Sequence, residues 1–201
     1  MSEIREGLRI GILGLQGSYK AHEEMFKSLI NSYTLSVSII KSTSQLVEID
    51  GLIIPGGEST SISLLCERSN LYEPLRNFVN EGNPVWGTCA GLVFLSKYVS
   101  QVKNGGQKFL ESMDIKTERN YFGSQKDSFE VLIKTPCLKG KKPFRCLFIR
   151  APVITAVDQD KVEALAELEK SGKSLIVAAR QENKLLSTRS SLTIHVGTST
   201  F

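Results

Sequence analysis

The sequence predicts a three-layer α/β fold, in which helices cover both faces of a central, mainly parallel sheet. Apolar runs of strand length at residues 8–15, 35–40 and 51–54 alternate with stretches of helical character. A fourth apolar run at residues 84–88 leads into a further helical stretch. This alternation is typical of parallel strands joined by right-handed crossovers, so we expect these strands to share one sheet.

Composition and charge indicate how many domains the chain forms and whether it binds nucleic acid. With 201 residues and 41% hydrophobic content, the chain is long enough for one sizeable core, and we expect a single domain over residues 1–201. The formal net charge is +4, but the basic residues are scattered apart from residues 139–142. We therefore expect no nucleic-acid binding.

Other classes of function are disfavoured by particular residue patterns. No apolar run approaches the ~18 residues of a membrane span, and the charged first residues do not resemble a signal peptide. We expect a cytoplasmic protein without a membrane segment. The four cysteines have no CxxC spacing and there are two histidines, so we expect no metal site, no disulfide framework and no cofactor.

Two glycine-containing loops follow the first and third predicted strands. The first strand ends in Leu-Gln-Gly-Ser at residues 15–18, where Ser18 is placed to cap the next helix. The third strand runs into Pro-Gly-Gly-Glu-Ser-Thr at residues 55–60, before one long helical stretch over about residues 61–78. Such a loop can aim backbone N–H groups at a ligand, although an ordinary turn with Ser59 or Thr60 as the helix cap has the same pattern.

The fourth strand ends in a cysteine at a strand-to-helix corner. Gly87 and Gly91 lie two residues on either side of Cys89, the spacing that a sharp nucleophile elbow needs. A thiolate is a strong nucleophile, and we expect the positive end of the following helix to lower the pKa of Cys89. The alternative is a small apolar core residue at a tight turn.

The second half of the chain contains shorter strand candidates and two arginines beside loops. Strands are predicted near residues 129–133, 144–149, 162–168, 175–179 and 185–186. Arg119 and Arg150 each lie next to a loop, where a guanidinium could hold a substrate carboxylate. A surface ion pair is the alternative for either arginine.

Together these motifs carry a resemblance to a known family. The chain resembles the glutaminase subunits of pyridoxal 5'-phosphate synthases, which are triad glutamine amidotransferases, over about residues 8–188. The matching segments are Leu-Gly-Leu-Gln-Gly at 13–17, Pro-Gly-Gly-Glu-Ser-Thr at 55–60, Gly-Thr-Cys-Ala-Gly at 87–91, Glu-Arg-Asn at 118–120, Asp-Ser-Phe at 127–129 and Phe-Ile-Arg-Ala-Pro at 148–152. The resemblance implies a fold like that of the class I glutamine amidotransferases, which is flavodoxin-like.

The resemblance also implies roles for particular residues. Cys89 matches the nucleophile that attacks the side-chain amide of L-glutamine, giving a thioester and ammonia. Gly57 and Ala90 match the oxyanion hole, and Gln16 matches the residue whose peptide helps to complete that hole when the synthase subunit docks. The positions that match the glutamine-binding residues are Gly57, Glu58, Ser59, Arg119, Ile149 and Arg150. The implied partner is the synthase subunit, which receives the ammonia for vitamin B6 biosynthesis.

The sequence departs from the family after about residue 188. The family continues with Phe-His-Pro-Glu-Leu, which supplies the histidine base and the glutamate that orients it. Here His195 is the only histidine near that place, and no acidic residue follows Glu182. His22, in the first helix, is expected to lie at the surface or to contact a partner.

We expect little glutaminase activity from this sequence, since loss of a general base typically lowers the rate by about 10²- to 10⁴-fold. Two alternatives stay open. One is a non-catalytic binding subunit of the synthase complex, and the other is a different cysteine amidase with its own base.

Overall fold

A sheet of ten strands forms the centre of the described part of the chain. The computed structural model describes residues 7–30, 33–102, 106–123, 129–133, 143–148, 151–170 and 172–187. The strands of these segments are β1 (Leu8–Leu13), β2 (Leu35–Ile40), β3 (Gly51–Ile54), β4 (Val85–Thr88), β5 (Ser96–Ser100), β6 (Met113–Glu118), β7 (Phe129–Ile133), β8 (Phe144–Phe148), β9 (Val153–Val157), β10 (Glu163–Lys170), β11 (Lys173–Gln181) and β12 (Lys184–Ser187).

Five helices connect or follow the early strands of this described part. They are α1 (Tyr19–Leu29), α2 (Thr43–Leu46), α3 (Ser59–Arg68), α4 (Tyr72–Asn80) and α5 (Ala90–Leu95). The main sheet has the strand order β2-β1-β3-β4-β12-β11-β9-β6-β5, with β10 paired to β11, and β7 and β8 form a separate two-stranded sheet.

The pairing directions divide the main sheet into two regions. The neighbouring strands β2, β1, β3, β4 and β12 are all parallel. On the other side, β11 pairs antiparallel with β9, β10 and β12, and β6 pairs antiparallel with β9. The predicted parallel sheet is therefore confirmed, and its parallel region carries the loops that the sequence singled out.

Residues of β4 show that helices cover both faces of the sheet. The Trp86 ring meets His22 and Phe26 of α1 at centroid distances of 6.1 and 6.5 Å. A Cβ on the next residue, Gly87, would lie 2.7 Å from Leu95 of α5. Because successive side chains of a strand point to opposite faces, α1 and α5 lie on opposite faces of the sheet. This arrangement confirms the three-layer prediction.

The long helix predicted over residues 61–78 is wrong, because the chain forms α3 and α4 with a turn between them. Asn70 has a left-handed backbone with φ of 55°. The Leu71 N–H bonds the Cys66 carbonyl at 2.8 Å, and the Asn70 N–H bonds the Glu67 carbonyl at 3.1 Å. This pair of bonds is a Schellman motif, which satisfies the last carbonyls of α3 and stops the helix.

Strands β5, β6 and β9 were not predicted. They lie beside one another at one end of the sheet, where β5 pairs with β6 and β6 with β9. The predicted polar loop at residues 101–107 falls partly outside the described residues. Among the helices of the described segments, none has the length and apolar character needed to cross a membrane.

Two clusters of buried side chains stabilise the domain. The larger one joins the parallel strands to α3, α4 and α5, and its fully buried members include Ile54, Leu92 and Phe94. The smaller one lies beneath β7 and β8, where Phe129 stacks on Phe148 with centroids 5.2 Å apart and Phe122 contacts both rings. This aromatic cluster supports the 119–123 turn, which begins with Arg119.

Candidate active site

The corner between β4 and α5 is a sharp turn centred on Cys89. Cys89 has φ of 50° and ψ of −103°, a conformation that is uncommon for a residue with a side chain. A Cβ on Gly91 would overlap the carbonyl oxygen of Ile54 and lie 2.8 Å from its carbonyl carbon. A Cβ on Gly87 would lie 2.8 Å from the Gly91 carbonyl. The two glycines thus allow the helix to approach the strands closely, as the elbow spacing predicted.

Two backbone N–H groups lie close enough to the Cys89 sulfur to lower the pKa of its thiol by hydrogen bonding. They belong to Ala90, the first residue of α5, and to Gly57, in the loop after β3. The loops at the ends of β3 and β4 therefore meet at one edge of the sheet, where open α/β sheets bind their ligands. This convergence places a half-buried thiol beside two fixed hydrogen-bond donors.

The predicted effect of the helix is present, since the N–H of Ala90 lowers the pKa of Cys89, but the net shift is upward because burial outweighs this effect. Burial raises the pKa of the Cys89 thiol to about 11, and the hydrogen bonds from Ala90 and Gly57 oppose that rise without cancelling it. Removing a thiolate from water disfavours its charged form more than two backbone donors favour it. At neutral pH, therefore, the Cys89 thiol is almost entirely protonated.

This raised pKa predicts how Cys89 reacts with iodoacetamide. Only the thiolate reacts, so the alkylation rate at Cys89 should rise roughly tenfold per pH unit from pH 7 to pH 10. Peptide mass spectrometry at each pH measures this rate, and glutathione is a reference thiol. A rate at Cys89 that levels off below pH 9 would contradict the raised pKa.

The loop after β1 is hydrogen-bonded to the loop after β3. The Ser18 N–H donates to the Gly56 carbonyl at 2.9 Å, and the Ser18 hydroxyl donates to the same oxygen at 3.3 Å. Among the described residues, no side-chain hydrogen bond from Ser18 caps α1, so the predicted capping role is wrong. The Ser18 hydroxyl instead joins the two loops.

Gln16 extends from the same loop over Gly57. Its Oε1 accepts from the Glu58 N–H at 3.2 Å, and a Cβ on Gly57 would lie 2.6 Å from the Gln16 amide nitrogen. Gly57 has φ of 155°, a backbone conformation that side chains rarely adopt. The Gln16 amide therefore covers the backbone that supplies one of the two donors to Cys89.

Glu58 and Arg119 form an ion pair beside this backbone. The Arg119 guanidinium donates to Glu58 Oε1 at 3.0 Å, and its other nitrogen donates to Gln107 Oε1 at 3.3 Å. The Arg119 side chain is 14% exposed and that of Glu58 is 53% exposed, so Arg119 forms the ion pair of the alternative, with its own side chain enclosed and the carboxylate at the surface. Gln107, which also accepts from Thr60 at 3.3 Å, was missed because a glutamine in a polar loop carries no distinctive signal.

Glu58 also caps α3, a role that the ordinary-turn alternative gave to Ser59 or Thr60. Its Oε2 accepts from the Ser61 N–H at 2.8 Å. Burial raises the pKa of Glu58, but hydrogen bonds from Ser61 and Thr60 outweigh it and leave the pKa below its usual value. Glu58 is thus a carboxylate at neutral pH. Ser59 is buried at the start of α3.

Three residues singled out in the sequence lie outside the described residues, namely Ile149, Arg150 and His195. The prediction for His22 is wrong, because this residue is 1% exposed rather than at the surface. Its Nε2 lies 3.2 Å from the Thr88 hydroxyl and its Nδ1 lies 3.0 Å from the Ser18 carbonyl oxygen.

No group of three or more His, Cys, Asp or Glu residues within the described segments could hold a metal ion. The site instead combines a thiol, two backbone donors and one charged pair. A thiolate here could attack a carbonyl carbon while the N–H groups stabilise the charge on its oxygen.

Comparison with known proteins identifies relatives of similar length. The chain is 46% identical over 181 residues to pyridoxal 5'-phosphate synthase subunit PdxT of Herpetosiphon aurantiacus, covering 90% of each chain. It is 46% identical over 164 residues to the protein of the same name from Pyrococcus furiosus, covering 81% of this chain and 82% of that one.

A solved structure and a family match indicate the same kind of protein as these relatives. A crystal structure of a glutamine amidotransferase superposes with a TM-score of 0.76 at 34% identity, covering 90% of this chain and 88% of that one. Residues 12–193 match the SNO glutamine amidotransferase family. The chain therefore belongs to the SNO glutamine amidotransferase family.

Proposed function

We propose that this chain is the glutaminase subunit of a pyridoxal 5'-phosphate synthase, which hydrolyses L-glutamine to L-glutamate and ammonia. The observation that carries the proposal is the convergence of the Gly57 and Ala90 N–H groups on the sulfur of Cys89. The relatives are named as subunits of pyridoxal 5'-phosphate synthase, which supports a further synthase subunit as the partner. In this proposal the ammonia passes to that subunit. We place the protein in the cytoplasm.

The chemistry follows from the position of the donors. The Cys89 thiolate attacks the side-chain amide carbon of glutamine, and the carbonyl electron pair moves onto the oxygen. The N–H groups of Gly57 and Ala90 stabilise this oxyanion. Collapse of the intermediate expels the amide nitrogen, which takes up a proton and leaves as ammonia. Water then hydrolyses the thioester to glutamate and restores the thiol.

The charged pair beside the elbow suits the other end of the substrate. Free glutamine carries an α-carboxylate and an α-ammonium group, and Arg119 and Glu58 offer one charge of each sign. In this proposal Arg119 binds the carboxylate and Glu58 the ammonium, while Ser59, Ile149 and Arg150 keep the glutamine-binding roles that the family resemblance implies. Gln16, which already covers Gly57, contributes to the oxyanion hole when the synthase subunit docks.

Replacing Arg119 with methionine should weaken glutamine binding by roughly 10- to 100-fold, because a charge-assisted hydrogen bond is worth about 1.5–3 kcal/mol. The measurement is the glutamine concentration that halves the rate of Cys89 alkylation. Arg180→Met is the matched control, since Arg180 pairs with Glu163 on strands β10 and β11. Equal glutamine affinity in the wild type and Arg119→Met would remove Arg119 from the substrate site.

We expect hydrolysis by this sequence to be slow. The thiol has a pKa of about 11, so its thiolate needs a base to form at neutral pH. The family's His-Pro-Glu segment, which supplies that base, does not occur in the sequence. A general base typically contributes about 10²- to 10⁴-fold to the rate, and we expect a deficit of that size.

Glutamate release from glutamine tests the proposal directly. The chain is mixed with the synthase subunit of a relative, and glutamate is measured over hours beside the subunit alone. We expect slow release above that background. Rapid release, at the rate of a relative with the His-Pro-Glu segment, would show that another group replaces the base. Release no faster than with the subunit alone would overturn the assignment as a glutaminase.

A non-catalytic binding subunit is the second candidate. The observation that favours it is that Gln16 and Arg119 hold the loop at Gly57 and Glu58 in place by hydrogen bonds, while the sequence has no His-Pro-Glu segment to supply the base. This candidate predicts a stable complex with the synthase subunit, binding of glutamine, and no glutamate. Size-exclusion chromatography of the same mixtures shows whether the complex forms, and glutamate release from the complex separates the two candidates.

A further inference from the structure

His22 is a buried polar residue to which the proposed chemistry gives no role. It lies in α1, on the face of β4 opposite α5, and its ring contacts Trp86 edge-on with centroids 6.1 Å apart. Both ring nitrogens are within hydrogen-bond distance of a neighbour. Nδ1 lies 3.0 Å from the Ser18 carbonyl oxygen, and Nε2 lies 3.2 Å from the Thr88 hydroxyl.

These two partners determine the protonation of the ring. A carbonyl oxygen can only accept, so Nδ1 carries the proton and donates to Ser18. Burial lowers the pKa of His22 and outweighs the opposing effect of the bond to Ser18, which leaves the ring neutral at physiological pH. Nε2 then has a free electron pair and accepts from the Thr88 hydroxyl.

One partner, Ser18, lies in the loop after β1, and the other, Thr88, is the last residue of β4. Ser18 joins the loop after β1 to the Gly56 carbonyl, and Thr88 directly precedes Cys89. Cys89 has a positive φ, a strained conformation that persists only where its surroundings hold it in place. A rigid imidazole bonded both to the loop after β1 and to the end of β4 is such a constraint.

We propose that His22 is a positioning residue, which holds the Cys89 elbow and the 15–18 loop together so that the Cys89 sulfur stays against the Gly57 and Ala90 N–H groups. His22 acts through Ser18 and Thr88. The inference rests on the proposed function only in giving Cys89 the role of nucleophile. The geometry of the elbow can be tested without glutamine.

The test uses substitutions that remove one hydrogen bond at a time. Thr88→Val removes the hydroxyl and keeps the branched shape. His22→Asn keeps an amide donor near the Nδ1 position for Ser18 and loses the acceptor for Thr88, whereas His22→Gln keeps an acceptor near the Nε2 position. Thr117→Val is the matched control, because Thr117 is buried and its hydroxyl bonds Ser96 at 2.7 Å between β5 and β6.

The measurement is the rate of Cys89 alkylation by iodoacetamide at pH 8.5 in the full chain, with melting temperature followed in parallel. Without the bond between His22 and Thr88, the Cys89 sulfur should move away from the Gly57 and Ala90 N–H groups, which leaves the thiolate less stabilised. Thr88→Val and His22→Asn should therefore each slow alkylation roughly fivefold. His22→Gln should retain most of the wild-type rate. The double variant His22→Asn/Thr88→Val should be no slower than the slower single variant, since both remove the same bond.

Alkylation of Thr88→Val and His22→Asn at or above half the wild-type rate would overturn the inference. So would an equal slowing in Thr117→Val, because a general loss of packing would then explain the effect. Glutamine added to the wild type gives a separate readout. If glutamine does not slow alkylation of Cys89, the proposed function fails, while the comparison of variants still decides the role of His22.

Discussion

Cys89→Ala is expected to reduce glutamate release by this chain, mixed with a synthase subunit, to the rate of a sample without it. The thiol supplies the only bond that the chain makes to the reacting carbon in the proposed reaction. Without it, the Gly57 and Ala90 donors can still bind a carbonyl but cannot form the thioester. The substitution removes one sulfur atom at a half-buried position, so the fold should persist.

The matched control for this prediction is Cys66→Ala. Cys66 is fully buried in α3, and burial raises its pKa to about 12, so its thiol is unreactive. We expect this variant to release glutamate at the wild-type rate with a modest loss of stability. Release that persists in Cys89→Ala, or disappears in Cys66→Ala, would contradict the assignment of the nucleophile.

Gly91→Ala is expected to destabilise the fold severely, because the elbow has no space for the added methyl group. The new Cβ would overlap the carbonyl oxygen of Ile54, and this backbone atom lies in the central strand β3 and cannot rotate away. Overpacking of a core typically lowers the free energy of unfolding by about 1–3 kcal/mol. A clash with the backbone should cost an amount at the upper end of this range or above it. Thermal unfolding should show a lower melting temperature or no folded protein.

Gly51→Ala provides the comparison for this effect. Gly51 begins the same strand, and a Cβ there would meet its nearest atom, the Pro84 carbonyl oxygen, at 3.5 Å. This is an ordinary contact, so we expect a melting temperature at or slightly above that of the wild type, since alanine reduces the entropy of the unfolded chain. Similar melting temperatures for the two variants would show that the elbow does not need a glycine at residue 91.

The parallel half of the fold could be predicted because the local strand pattern and the burial of these strands within the sheet favour the same structure. Strands β2 and β3 have the predicted bounds, since buried parallel strands appear as continuous apolar runs ended by glycine or polar residues. The turn between α3 and α4 could not be predicted from helical periodicity. It depends on a left-handed Asn70, and a single asparagine in a helical pattern does not by itself mark the end of a helix.

The two loops of the candidate site were predictable from their glycines, whereas the side chains that connect them were not. Gly87 and Gly91 are required by close backbone contacts that any such elbow shares. His22 is one histidine in an amphipathic helix, and only the tertiary structure shows that it reaches Thr88, 66 positions along the chain. The raised pKa of Cys89 likewise depends on burial, which the elbow motif does not report.

Glutamine-protected labelling of Cys89 tests the central claim, that Cys89 is the nucleophile of a glutamine site. The chain is treated with a chloromethyl ketone analogue of glutamine, from which the thiolate displaces chloride to form a thioether, and the adduct is located by mass spectrometry. We predict one adduct, at Cys89, that forms more slowly when glutamine is added and is absent from Cys89→Ala. Labelling of Cys89 that glutamine leaves unchanged, or labelling elsewhere with Cys89 unmodified, would contradict the claim.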